Sequence, residues 1–498
     1  MAEATIKVLV DRPVGTIHRN IYGHFAEHLG RCIYEGVWVG EDSPIPNTHG
    51  IRNDVVQALR KIHPPVIRWP GGCFADDYHW RDGIGPRESR PRRINAHWGQ
   101  VIETNVFGTH EFIAFCRLVG AEPYLCGNVG SGTPREMRDW VEYCNFPGDS
   151  TLARERAANG SPEPFRVRYW GVGNENWGCG GHFCPEDYAA EYKRFATFLF
   201  DFLPDAPLYL IACGPNGNDI LWTHRFFEKL MRGRGFRRIH GYAAHYYCGT
   251  AGTATEYTVQ QWYELLWKAA RMEELVVQQR AILDGYDPHR RIGLIVDEWG
   301  TWHPPTPGEN PRFLWQQNTL RDALVAALTL DIFNRHADKV VMANIAQTIN
   351  VLQAMILTQE EKMIVTPTYH VYAMYVPHQD GQALFTDFEA DPIALQVGGR
   401  DQELFGLAGS ASLKGDRLFL TVVNPSVDHP QEATIRIVGA SARGERAQVL
   451  SHEDIHAHNT FDAPETVQPV ESALSGEGSE IAYTFPPASV TALSFRLT

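Results

Sequence analysis

Short apolar runs alternate with helix-period segments through most of this chain, and that rhythm limits the possible folds more than any single motif. The runs cover residues 17–25, 66–69, 122–126, 167–172, 208–213, 239–246, 292–296 and 340–345. Between them, apolar residues recur every three or four positions, as in Tyr188, Tyr192, Phe195, Leu199 and Phe202 after the helix-starting Pro185, Glu186 and Asp187. Val259, Trp262, Leu266 and Ala269 form a second such face, and Leu320, Leu324, Ala327, Leu328 and Ile332 a third. About eight strand–helix units, each roughly 40 residues long, predict an α/β (β/α)₈ TIM barrel over residues 17–377. A doubly wound open sheet is the competing arrangement.

The rhythm stops near residue 378. Residues 418–423, 433–438, 481–485 and 490–497 alternate apolar and polar with no helix between them, and Lys414-Gly415-Asp416 has the form of a hairpin turn. Residues 378–498 are therefore expected to form a C-terminal all-β sandwich. Residues 5–10 alternate in the same way, so residues 1–16 are expected to add a strand to it.

Composition narrows the setting. A formal charge of −14 repels phosphate backbones and anionic bilayers, so neither nucleic acid nor membrane is an expected partner. The first residues lack the basic start and apolar stretch of a secretory signal, and no apolar run reaches the ~20 residues of a membrane span. Nine cysteines, an odd number, end at Cys248 and suit reduced thiols in a cytoplasm better than a disulfide framework.

In a barrel enzyme the chemistry sits where strands end. The runs lead into His24-Phe25-Ala26-Glu27, Pro70-Gly71-Gly72-Cys73, Gly127-Asn128, Gly173-Asn174-Glu175-Asn176, His245-Tyr246-Tyr247, Asp297-Glu298-Trp299 and Ala346-Gln347. Ionisable and sugar-binding residue types thus gather on one rim. Glu175 and Glu298 follow strands four and seven, which face each other across the mouth. Opposed carboxylates are what glycoside hydrolysis requires, one to protonate the leaving oxygen and one to attack or to activate water. A lone glutamate is usually a solvated loop acid; here each follows an apolar strand and has Trp177 or Trp299 beside it. Asp297 competes as nucleophile, but strand alternation sends it to the opposite side from Glu298.

GNE at 173–175, DEW at 297–299, IYGHFAEHLG at 21–30 and IRWPGG at 67–72 resemble glycoside hydrolase family 51, the α-L-arabinofuranosidases. RPRR at 90–93, VIETNVFG at 101–108 and AQTIN at 346–350 fit the same family. GNE and DEW alone mark only the wider clan of retaining barrel glycosidases; the N-terminal motif and the PGG loop narrow it. The resemblance implies that Glu175 is the general acid/base and Glu298 the nucleophile of a retaining, exo-acting double displacement. It implies that Glu27, Asn174, Tyr247 and Gln347 hold the furanose hydroxyls and the nucleophile, with Trp98 and Trp302 as aromatic walls. Arg68 is expected to hydrogen-bond Glu298. Cys73 stands where many relatives carry Asn, so one sugar contact is expected to weaken or come from elsewhere. Substrates would be arabino- and arabinoxylo-oligosaccharides, no cofactor is implied, and family members commonly form hexamers. A β-xylosidase or β-1,4-endoglycanase of the same clan is the alternative activity.

Other signals carry less. Cys179, His182 and Cys184 lie close in sequence, but without a second Cys pair they read as packed thiols rather than a zinc site. His24 and His28 lack the HExxH order, and Glu175 would repel the pyrophosphate that Gly171 and Gly173 of a dinucleotide loop would hold. The lysines lie away from strand ends, against Schiff-base chemistry. The long segment from Gly71 to Gly108 is expected to wall the pocket, as is Trp302-His303-Pro304-Pro305.

Overall fold

The computed structural model describes residues 4–233 and 236–498. Eight parallel strands close into a barrel: β1 (Gly23–Phe25), β2 (Val66–Trp69), β3 (Glu122–Gly127), β4 (Tyr169–Val172), β5 (Tyr209–Asn216), β6 (Gly241–Tyr247), β7 (Gly293–Gly300) and β8 (Val340–Ala346). Val66, Tyr124, Tyr169, Ile211, Ala243, Ile295 and Met342 fill the interior as one cluster. Their chain neighbours Ile67, Leu125, Trp170 and Leu294 belong to the larger core beneath the helices. Both faces are buried, which is why these strands read as continuous apolar runs rather than alternating ones.

The first run is shorter than its apolar content suggests. Only Gly23–Phe25 is strand, and Arg19–Tyr22 forms a 3₁₀ turn. The His18 ring accepts the Asn20 N–H, a local bond that competes with ladder pairing. The helix Pro185–Thr197 likewise stops before the last residues of its periodic pattern, and Leu199 is buried beyond its end.

Past the barrel, the chain forms the expected β-sandwich. Strands Gln382–Glu389, Ala408–Lys414, Arg417–Asn424, Ser489–Leu497 and Ala442–Ser451 pair in that order. The N-terminal strand Ala4–Thr16 lies antiparallel to Gln382–Glu389 and parallel to Gln431–Val438, so both chain ends share this layer. Ile6, Val8, Leu384, Leu418, Leu420, Ile435 and Phe495 build its core. The helix Leu320–Arg335, capped by Thr319 and Asp322, is buried from Leu320 to Asn334 because it lies between barrel and sandwich. Among the described residues, no helix is long and apolar enough to cross a membrane.

Candidate active site

Closing the barrel brings the ends of β1, β2, β4, β6, β7 and β8 around one pocket. The Pro70-Gly71-Gly72 turn after β2 permits the closest approach. A Cβ on Gly72 would lie 3.1 Å from Glu298 Oε1, and one on Gly71 would lie 2.7 Å from Glu27 Cγ. A side chain at Gly71 would force Glu27 to shift, and one at Gly72 would crowd Glu298. Gly173 of the GNE turn has φ +89°, and a Cβ there would lie 2.1 Å from Asn176 Oδ1.

Glu298 is buried and fully engaged. Arg68 Nη1 donates to its Oε1 at 2.8 Å and Tyr247 Oη to its Oε2 at 2.9 Å. Arg68 also donates through Nη2 to Asn174 Oδ1, and its guanidinium lies over the Phe25 ring at 4.6 Å. Burial pushes the Glu298 carboxyl up and the Glu175 charge adds to the rise; His245 and Arg68 offset part of it, and the carboxyl stays above its ordinary value. Glu175 stands across the mouth, and oxygens of the two carboxylates lie within 4.8 Å of each other, both within the same reach of a His245 ring nitrogen.

His245 connects the acids. Its Nδ1 lies 2.8 Å from Glu175 Oε1 and 3.5 Å from Glu298 Oε2, and its Nε2 lies 2.9 Å from Asp297 Oδ1. Burial alone would lower its pKa; the negative charge of Glu298, Asp297 and Glu175 raises it to about 10. Both ring nitrogens therefore carry protons at neutral pH and donate.

Asp297 is not on the opposite side from Glu298. On β6, Ala243 pairs with Ile295 and His245 with Glu298; on β8, Ala343 pairs with Val296 and Ile345 with Trp299. Two residues on each neighbour thus face three on β7. The extra residue is a β-bulge, which breaks the two-residue period and turns both acids inward. Asp297 accepts from Tyr124 Oη at 2.7 Å, below the pocket, and lies 3.5 Å from Arg68 Nε. Against the cost of burial, Arg68 and His245 hold its carboxyl at about 2.

On the far side, Glu27 accepts from Trp98 Nε1 (2.9 Å), the Phe74 N–H (3.1 Å) and Gln347 Nε2 (3.1 Å). Burial and the Glu298 charge raise its carboxyl to about 7. Gln347 Oε1 is buried without a protein partner. Trp302 meets the Tyr247 ring edge-on at 5.1 Å and remains 38% exposed. Trp98 thus sits against Glu27 and Trp302 against Tyr247. Trp299, beside Glu298 in sequence, instead packs on Phe333 in the core.

The expectation of free thiols fails at Cys73. It forms a disulfide with Cys179, joining the loop after β2 to the loop after β4, while Cys184 is free and exposed. Cys73 therefore has no S–H to offer a sugar, and Cys179 is not a packed thiol. Seven cysteines are free.

The whole chain has relatives. Residues 58–261 match the α-L-arabinofuranosidase 1 domain and residues 297–489 the α-L-arabinofuranosidase C-terminal domain. The chain is 43% identical over 473 residues to an intracellular exo-α-L-arabinofuranosidase of Bacteroides ovatus, covering 94% of this chain and 90% of that one. The chain belongs to the α-L-arabinofuranosidases of glycoside hydrolase family 51. The crystal structure of the family 51 arabinofuranosidase from Xanthomonas axonopodis pv. citri superimposes with a TM-score of 0.95 at 42% identity, covering 100% of both chains. An α-L-arabinofuranosidase from Thermotoga maritima, solved as an arabinose complex, gives 0.88 at 31% identity over 99% of this chain and 100% of that one.

In this family 51 chain, sequence reasoning overlooked three groups around the acids. His245 stood on the rim but was not separated from Tyr246 and Tyr247. Tyr124, near the middle of β3, reads as core. Asp76 accepts the N–H groups of Val129 (2.6 Å), Gly130 (2.8 Å) and Asn174 (2.8 Å), tying the loop after β2 to the ends of β3 and β4. The polar character of Asp76 in an apolar setting was its only signal.

Proposed function

We propose that this chain is a retaining, exo-acting α-L-arabinofuranosidase that removes terminal α-L-arabinofuranosyl units by double displacement. The observation that carries the reading is the short gap between the Glu175 and Glu298 carboxylates, within 4.8 Å oxygen to oxygen. Inverting enzymes hold their carboxyls ~6.5–9.5 Å apart to fit a water between them, whereas retaining pairs sit ~5–5.5 Å apart. Glu298, whose ionised form Arg68 favours and which Tyr247 orients, attacks the anomeric carbon. Glu175 gives its proton to the leaving oxygen and then takes one from the water that releases the sugar. Asp297 is the weaker candidate because Tyr124 and His245 hold its oxygens, whereas a Glu298 oxygen lies within 4.8 Å of Glu175.

Glu27, Asn174 and Gln347 are the groups placed to hold furanose hydroxyls, and the free lone pairs of Gln347 Oε1 support that role. Trp98 and Trp302 wall the pocket, which favours a chain end over an internal unit. The disulfide leaves Cys73 only van der Waals contact to offer. Arabino- and arabinoxylo-oligosaccharides fit such a pocket, and the intracellular Bacteroides relative supports a cytoplasmic enzyme acting on imported oligosaccharides. Family membership supports a homo-oligomer, a hexamer.

Initial rates on aryl α-L-arabinofuranoside, aryl β-D-xyloside and aryl β-D-glucoside test the substrate, with clear preference for the first expected. Glu298→Ala should abolish turnover, and azide should restore it with the inverted glycosyl azide as product. Azide rescue in Asp297→Ala instead would overturn the nucleophile assignment.

A further inference from the structure

The Cys73–Cys179 disulfide lies against the proposed acid/base. One oxygen of Glu175, Oε1, is held by His245; the other, Oε2, faces Cys179 Sγ at 3.7 Å. The two sulfurs and a Glu175 oxygen all lie within 4.8 Å of one another, and all three residues are partly exposed to the pocket. Reduction would turn these two sulfurs into thiols beside a carboxylate, a donor set for zinc, which binds sulfur at ~2.3 Å and carboxylate oxygen at ~2.0–2.2 Å. The His245 bond fixes the direction of the carboxylate, the role outer-shell partners play in zinc sites.

We propose that Cys73, Cys179 and Glu175 become a binding site for Zn²⁺ or a similar thiophilic divalent cation when the disulfide is reduced, and that the bound cation stops turnover. A dithiol reductant opens the S–S bond by two successive exchanges and leaves as its own cyclic disulfide. Cys73 and Cys179 each gain a proton. The cation then displaces those two protons to solvent and takes Glu175 Oε2 as a third ligand, with water completing the shell. A glutamate held by a metal neither gives nor accepts the proton that glycoside cleavage needs. Oxidation to the disulfide removes both thiolates and frees Glu175. The sulfur bridge thus acts as a guard, and a reducing cytoplasm is where it would be opened.

The cysteines that lie close in sequence, Cys179 and Cys184, do not make this site; Cys73 supplies the second sulfur across 106 residues. Cys184 serves as the control, since it is free, exposed and outside the set.

The test uses Co²⁺ as a spectroscopic stand-in for Zn²⁺, added to the full chain before and after dithiothreitol reduction and anaerobic desalting. The reduced protein should bind one equivalent of Co²⁺ with a thiolate-to-metal charge-transfer band that Zn²⁺ abolishes. The oxidised protein should show no band. Cys179→Ser should lose it, and Cys184→Ser should keep it. One equivalent of Zn²⁺ should lower the arabinofuranosidase rate of the reduced enzyme at least tenfold, with recovery on adding a chelator or on reoxidation. A reduced wild-type protein without the band, or a band that survives Cys179→Ser, overturns the site. A full band with undiminished turnover overturns the blockade. The spectrum does not depend on the proposed activity: a band in a protein that hydrolyses no arabinofuranoside would sink that activity and leave the site standing.

Discussion

At the barrel mouth, Asp297 and Glu298 are buried against two cations, Arg68 and His245; at the seam beneath the sandwich, Asp331 is buried against neutral hydroxyls. Ser410 Oγ and Thr421 Oγ1 each donate to Asp331 Oδ1 at 2.6 Å, and Tyr375 Oη donates to Oδ2 at 2.8 Å. Asn334, on the same helix, joins Ser410 to Tyr22. Burial raises the Asp331 carboxyl to about 7, and the hydroxyls, with the more distant charge of Arg335, offset only part of that. The cations at the mouth overcome burial for Asp297 and hold it near 2. Neutral donors satisfy the geometry of a carboxylate without keeping it charged; paired cations keep it charged. The seam needs the first, because its task is to join helix Leu320–Arg335 to the sandwich. The mouth needs the second, because the proposed nucleophile, Glu298, must ionise although burial and the Glu175 charge push its carboxyl up.

The largest expected effect comes from neutralising the mouth. Glu298→Gln keeps the shape and removes the charge, so turnover of an aryl arabinofuranoside should fall on the order of 10⁴-fold or more. Stability should hold or rise, because one of four crowded acids is gone, Arg68 keeps the amide oxygen as its acceptor, and the Tyr247 hydroxyl can turn to accept from the amide N–H. A variant that loses activity and also unfolds early would mean that Glu298 is structural, like Asp331, and the contrast would fail.

His245→Asn tests whether the imidazolium sets the charge at the mouth. Without it, Asp297 and Glu298 share Arg68 alone, and Glu298 ionises only at higher pH. The kcat/KM of the variant should drop roughly 10²-fold at neutral pH, and its acid limb should move upward. Stability has a sign as well. The folded value near 10 lies above the unfolded ~6.5, so the contribution is complete below pH ~6.5 and is lost as pH rises toward 10. The variant should lack that decline, read by denaturant unfolding across the same range.

Asp331→Asn should do the reverse, leaving turnover within about twofold while changing the pH dependence of folding. Asp331 binds its proton more tightly when folded, so its contribution is complete below pH ~4 and is lost as pH rises to about 7. The variant should be less stable than the parent by about 1–2 kcal/mol at pH 5, with the gap closing by pH 8, where the parent carries a buried charge.

These contrasts also mark what could be read from the sequence. Eight apolar runs foretold the barrel because strands buried on both faces leave a strong composition signal, and the tail's two-residue alternation foretold the sandwich. Glu27, Asn174, Glu175, Glu298 and Gln347 converge because strand ends of a barrel must converge. The bulge in β7 left no trace, since an unpaired residue is defined by two neighbouring ladders and not by its own side chain. The Cys73–Cys179 bond was equally hidden: an odd cysteine count argued against a framework but could not exclude one pair brought together by two loops. Asp331 reads as one more polar residue on a helix that also carries Arg321, Asp322, Thr329 and Asn334, and only the sandwich hydroxyls explain it.

The smallest expected effect is the most specific to the seam. Thr421→Val removes one of the three hydroxyl donors to Asp331 and keeps the volume. The hydroxyl favours the ionised carboxyl, so its loss should push the Asp331 titration further up and extend the pH range over which stability declines. A hydrogen bond to a charged group contributes about 1.5–3 kcal/mol, and one between neutral groups about 0.5–1.5. The cost of Thr421→Val should therefore be larger at pH 8, where Asp331 is ionised, than at pH 5, where it is protonated. An equal cost at both pH values would mean that Ser410 and Tyr375 alone set the charge state, and that Thr421 contributes only packing between barrel and sandwich. Because the mouth is untouched, turnover should not move in either case, and a shift there would show that the two carboxylate clusters are coupled.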